Sequence, residues 1–114
     1  MTTTVSPAVL QAGIQITTTA VAYVTGAANS QTIIKRAVFS NVTGSAVTIT
    51  VYRVPSGGAI ASTNMIIDGR SIAGLGTDLT PELANMVLNA GDMIWAKSDT
   101  ATAVNLFVSG FVAS

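Results

Sequence analysis

The sequence predicts an all-β fold, a single antiparallel β-sandwich of jelly-roll-like form with little or no helix. Three observations predict it. Short runs rich in Thr, Val and Ile recur along the chain with the period of two that a half-buried strand requires. Clusters of Gly, Asn, Asp and Pro separate these runs, as turns do in sandwiches and barrels. No segment sustains the apolar spacing of an amphipathic helix. At 114 residues, 49% of them hydrophobic, the chain can bury one continuous core without a metal or disulfide staple.

The opening segment, Thr2 to Pro7, is Thr-rich and closed by a proline. It reads as an extended N-terminal arm over 1–7, ahead of a domain over 8–114. From Val9 through Ile14, Ile16, Val21 and Val24, β-branched and aromatic residues predict one or two strands. A loop at Gly26 to Ser30 follows, then a strand from Thr32 to Asn41. Asn41 to Ser45 reads as a hairpin turn leading to Val47 to Arg53, the most regular alternation in the chain. There Val47, Ile49 and Val51 share one face and Thr48, Thr50 and Tyr52 the other.

Pro55 to Gly58 ends that strand, and Ala59 to Ile67 predicts another, which Asp68-Gly69 turns. Arg70 to Leu79 reads as loop. Thr80-Pro81-Glu82 has the order of a helix start, Thr as cap and Pro at the first helical position. Asn85 and Val87 follow so soon that only a short turn is expected. Met86 to Leu88, Met93 to Lys97 and Ala103 to Val112 complete the strands, with a tight turn at Asn89 to Asp92. The predicted core is Val47, Ile49, Val51, Ile94, Val104, Leu106 and Val108.

Two strands carry apolar groups on both faces. In the last one Val104, Leu106, Val108 and Val112 alternate on one side, leaving Phe107 and Phe111 on the other. In the strand before it Trp95 stands opposite Ile94 and Ala96. Aromatic rings on a non-core face are covered either by another segment of the chain or by a partner. Trp95, Phe107 and Phe111 are therefore candidate interface residues, together with Thr2, Thr3, Thr4 and Val5 of the arm.

Composition sets further limits. Five Lys and Arg balance five Asp and Glu, giving a net charge of zero, so no basic field exists to attract nucleic acid or an anionic membrane. No apolar stretch reaches bilayer length, and Met1 to Pro7 lacks the basic start and apolar block of a signal peptide. With only 9% charged residues, a free monomer has a poorly charged surface, which favours self-association or attachment to a larger body.

The chain contains neither His nor Cys, which removes imidazole and thiolate metal ligands and His-based nucleophile activation. No catalytic, cofactor-binding or metal-binding residue is expected, and the chain does not read as an enzyme. Asp68, Asp78, Glu82, Asp92 and Asp99 each lie beside turn residues, where carboxylates bond nearby backbone N–H groups. An Asp78 and Glu82 pair has no spacing that favours a glycosidase dyad or a calcium site. Gly74-Leu75-Gly76 lacks the third glycine and the βαβ setting of a dinucleotide fingerprint. Asn41-Val42-Thr43 matches a glycosylation acceptor but reads better as a turn. Lys35 and Arg36, the only adjacent basic pair, are expected on opposite faces of a strand.

Taken together, Gln31 to Asn41, the Gly44 turn, Val47 to Tyr52, Leu88 to Lys97 and the closing Val104 to Val112 strand resemble the small β-sandwich structural proteins of tailed bacteriophages. The resemblance covers about 29–112. It implies a virion component, and within that class a capsid decoration or cement protein. Such a protein is a homo-oligomer, trimer or dimer, that clamps the major capsid protein or another virion structural protein. It implies residence on the capsid surface, and in the host cytoplasm before assembly. A tail, baseplate or fibre-attachment subunit would share the same features. A carbohydrate-binding sandwich, with Trp95, Tyr23 and Tyr52 stacking on sugar rings, is the reading outside assembly.

Overall fold

The computed structural model describes residues 4–114, which form two antiparallel sheets packed face to face. The strands are β1 (Val5–Gln15), β2 (Val21–Thr25), β3 (Gln31–Asn41), β4 (Val47–Val54), β5 (Met65–Ile72), β6 (Thr77–Asp78), β7 (Met86–Leu88), β8 (Met93–Ser98) and β9 (Val104–Ala113). Sheet A has the order β1-β9-β3-β6, with β7 also pairing β3, and sheet B the order β2-β8-β4-β5. Successive strands mostly change sheet, and only β4 and β5 are joined as a hairpin within one sheet. This is the interleaved strand order of a jelly roll. Among the described residues helix is limited to two 3-10 turns, Ser62–Asn64 and Pro81–Leu83.

Alternation decides what faces inward. Val47, Ile49 and Val51 of β4, Ile94 and Ala96 of β8, and Val104, Leu106 and Val108 of β9 lie in one buried cluster with Phe39, Ile34 and Leu88. Every predicted core residue is in it. Phe39 and Ile49 are fully buried, so each contributes the full transfer free energy of its side chain, about 2–3 kcal/mol.

The structure corrects several local expectations. Asn41 to Ser45 is no hairpin turn, because β3 belongs to sheet A and β4 to sheet B. The buried Asn41 side chain donates to the carbonyl oxygens of Ser45, Ile72 and Ala73 and accepts from the Thr43 N–H. It thus pins an arch that carries the chain from one sheet to the other, and it has no free amide for a glycan. Asp68-Gly69 does not turn the chain either. Ile49 pairs with Arg70 and Val51 with Ile67, so two residues of β5 oppose the single Thr50 in a bulge. Gly69 takes a φ of 62° there and donates its N–H to Thr50 Oγ1. The strand therefore runs on to Ile72, and Ala59 to Asn64 is loop and 3-10 turn rather than strand. Thr80 precedes a short turn as expected but adopts φ 40° and caps nothing; its hydroxyl donates to the Ala37 carbonyl oxygen in the core.

Two arginines of sheet B fasten it to sheet A. Arg53 on β4 donates to the Val87 carbonyl oxygen of β7 and to Asp92 at 2.9 Å. Arg70 on β5 pairs with Asp78 of β6 at 2.7 Å and with Glu82. Both candidate acids of the Asp78 and Glu82 pair are thus held by one guanidinium. Asp92 also accepts from the Ser56 and Asn89 N–H groups.

These bonds set the response to acid. Burial alone would raise the Asp92 carboxyl, but the Ser56 and Asn89 N–H groups together with Arg53 outweigh it and hold it below its ordinary value. The Thr48 N–H does the same for Asp99, and the Arg70 guanidinium for Glu82. A carboxylate with a depressed folded pKa stabilises the fold above its unfolded pKa, about 4, and that contribution is lost as pH falls through the folded value. Urea unfolding followed from neutral pH downward should show an acid limb beginning at about pH 4. In Asp92→Asn one side-chain oxygen is replaced by a second donor that meets an existing donor. That variant should lose about 2 kcal/mol at neutral pH and show a shallower acid limb.

Candidate functional site

The outer face of sheet A is where the structure departs from an ordinary sandwich, whose outward positions are polar. Register places Val87, Ile33, Phe111 and Pro7 side by side across β7, β3, β9 and β1. The next row is Arg36, Ser109 and Val9, and the one after it pairs Val38 with Phe107. Val9 is 73% exposed and Phe107 43%. Two shallow grooves of about 260 and 350 Å³ run over this face, floored by Val9, Phe107, Phe111 and Val38 and flanked by Lys35 and Arg36.

Local backbone irregularities shape the face. Between the pairs Gln11 with Val108 and Ile14 with Leu106, Ala12 and Gly13 together oppose the single Phe107. Gly13 has a φ of 124°, and a Cβ there would come 2.7 Å from the Phe107 ring. The ring therefore lies over a position that only glycine can fill, and part of its burial comes from that contact. A second bulge lies in β3. Ile34 pairs with Gly110 and Arg36 with Ser109, leaving Lys35 as the extra residue. Strict alternation would send Lys35 and Arg36 to opposite faces. With the bulge, both are exposed and both border the outer grooves of sheet A. No salt bridge among the described residues involves either of them.

Of the candidate interface residues, Phe107 and Phe111 are brought together here. Val5 lies on the same face, exposed, in register with Ala113. Thr4 pairs with Ser114 through reciprocal backbone bonds of 3.0 and 2.9 Å. The strand thus begins at Val5 within the sheet, and 5–7 is part of the domain rather than an arm ahead of it. Thr2 and Thr3 lie outside the described residues. Trp95 sits apart, on the outer face of sheet B, where it pairs with Tyr52 and Ala22. It is half-buried, and its Nε1 has no acceptor among the described residues. Sequence reasoning missed Val9, Val38, Ile33 and Val87 as members of the face. Pairing across strands assembles them, and no single segment displays that.

Tyr23 and Tyr52 are both buried, so neither offers a ring to a sugar. No group of three or more Asp or Glu side chains with metal-binding proximity occurs among the described residues. No protein-family model, curated protein or solved structure matches this chain.

Phe107 on the outer face and Phe39 in the core should respond differently to truncation. Phe107→Ser removes a side chain that is nearly half in water and should cost about 1 kcal/mol. Phe39→Ala empties a fully buried site and should cost about 4 kcal/mol. Urea denaturation of both variants measures the contrast, and a Phe107 cost equal to that of Phe39 would make the ring part of the core.

Proposed function

We propose that this chain is a non-enzymatic structural protein of a phage virion, a decoration or cement subunit that attaches to the assembled head through the outer face of sheet A. The observation that carries the reading is that face, where Pro7, Val9, Val38, Phe107 and Phe111 form an apolar surface on a domain whose core is complete without them. Contiguous exposed apolar area of this kind marks association surfaces. The dimensions support it as well. The described residues form a slab of 51 × 27 × 19 Å, a shape that presents the broad sheet face when laid on a larger body.

The phage assignment rests on the resemblance of Gln31 to Asn41, Val47 to Tyr52 and Leu88 to Lys97 to tailed-phage sandwich proteins. On this reading the partner is the major capsid protein or another virion structural protein, and the free protein forms a trimer or dimer before it binds. A decoration protein stabilises the shell by binding the assembled lattice more tightly than its free components. Weak contacts repeated over one lattice reinforce each other through effective concentration.

Immunogold electron microscopy of phage particles, with antibody raised against the purified chain, tests the reading. Label spread over the head is the expected result. Label confined to the tail or neck would transfer the proposal to a tail subunit, and absence of label would end the virion reading. In co-sedimentation with particles that lack the protein, Phe107→Ser should bind at least about tenfold more weakly than the parent, as expected for loss of a central aromatic anchor.

A further inference from the structure

We infer that the outer face of sheet A recognises an apolar protein surface that carries carboxylates, rather than a second copy of the same face. The inference deepens the attachment reading above by naming the chemistry of the partner. Its basis is the way charge is distributed. Arg53 and Arg70 are consumed by ion pairs that tie the two sheets together, and Lys97 lies on β8 of sheet B. Among the described residues, Lys35 and Arg36 are the basic side chains that stand on sheet A's outer face, brought there by the β3 bulge.

No acidic side chain of the described residues accompanies them. Asp78 and Glu82 are held by Arg70, and Asp92 by Arg53. Asp68 is in the β5 bulge of sheet B, and Asp99 follows β8, where it accepts the Thr48 N–H. The neutral molecule therefore has a face with two cations, two Phe rings and no compensating charge. An isologous pair of such faces would bring like charges together across an apolar contact, which is costly when water is excluded. A partner presenting Asp or Glu beside apolar side chains would pair both cations and cover the rings at once.

Other polyanions fit less well. Two cations are too few to hold nucleic acid, whose binding strength comes from many phosphate contacts. Two cations give only a weak attraction to an anionic bilayer, where stable binding takes a larger basic cluster, and the rings of this face lie within a sheet instead of projecting from a loop or amphipathic helix.

Two twelve-residue peptides, one alternating Leu with Glu and one alternating Leu with Lys, provide the probe. Each is titrated into the isotopically labelled full chain and followed by NMR. The expected result is that the Leu/Glu peptide shifts resonances of β1, β3 and β9 on this face and the Leu/Lys peptide does not. Lys35→Gln with Arg36→Gln, both at exposed positions, should weaken the Leu/Glu effect about tenfold, and raising the salt from about 50 to about 500 mM should act in the same direction. Equal response to both peptides, or an acidic-peptide response that survives the double substitution, would overturn the inference. So would concentration-dependent shifts on this face without peptide, which would assign it to a second copy. Sedimentation with phosphatidylserine vesicles that the double variant loses, without a peptide response, would assign it to a membrane and also overturn it. Because no virion enters this experiment, its failure leaves the particle-labelling result to stand or fall separately.

Discussion

Strand β9 is the element on which the rest of the molecule depends. It is hydrogen-bonded along its length on both sides, to β1 and to β3, and so holds sheet A together. The pairing with β3 requires a close approach, because a Cβ on Gly110 would lie 2.0 Å from the Ile33 carbonyl oxygen. Any other residue there would force the strands apart, since the obstacle is backbone and cannot move aside. Once β9 is in place, the strand period of two sends Val104, Leu106 and Val108 into the core and Phe107 and Phe111 to the outer face. One strand thus supplies the packing that stabilises the sandwich and the surface proposed to join it to a larger body.

Charge is used sparingly and in two distinct ways. At one end of the sandwich Arg53 reaches from β4 to Val87 and Asp92, and elsewhere Arg70 reaches from β5 to Asp78 and Glu82. The pairs of Arg53 with Asp92 and of Arg70 with Asp78 are partly buried, so each is less exposed to screening than a surface ion pair, whereas the Arg70 and Glu82 pair is exposed; together they tie the two sheets that the core alone must otherwise hold in register. What is left on sheet A's outer face is positive. The separation follows from placement, because the molecule as a whole is neutral.

Much of this was legible in the sequence wherever the signal was a local period. Alternation from Val47 to Tyr52 and from Val104 to Val108 identified the core side of both strands, and the same alternation marked Phe107 and Phe111 as facing away from it. Features that depend on a bulge or on the far side of a turn were not legible. Asp68-Gly69 has turn chemistry, but a glycine at positive φ serves a β-bulge equally well, and pairing with Thr50 decides between them. Asn41 to Ser45 has hairpin chemistry, yet the three carbonyls that Asn41 binds make it an arch between sheets. Lys35 and Arg36 share a face only because one of them is the extra residue opposite β9. Trp95 was recognised as facing away from the core, but its place on the other sheet, remote from the Phe pair, is a matter of topology.

The same irregularities explain why association through a face suits this molecule better than association through an edge. An open edge strand offers unpaired N–H and C=O groups to any neighbouring chain. Here β1, the edge of sheet A, contains Pro7 and two breaks in register, and the opposite side of that sheet ends in strands of only two and three residues. In sheet B, β5 has the Asp68-Gly69 bulge and β2 a register break near Tyr23. Each edge is interrupted where strand addition would need a continuous ladder. The N-terminal strand, already paired with β9, has its hydrogen bonds on that side committed. The attachment proposed above is therefore left to side chains, and among the described residues the broad surface on which apolar side chains and the unpaired Lys35 and Arg36 coincide is the outer face of sheet A.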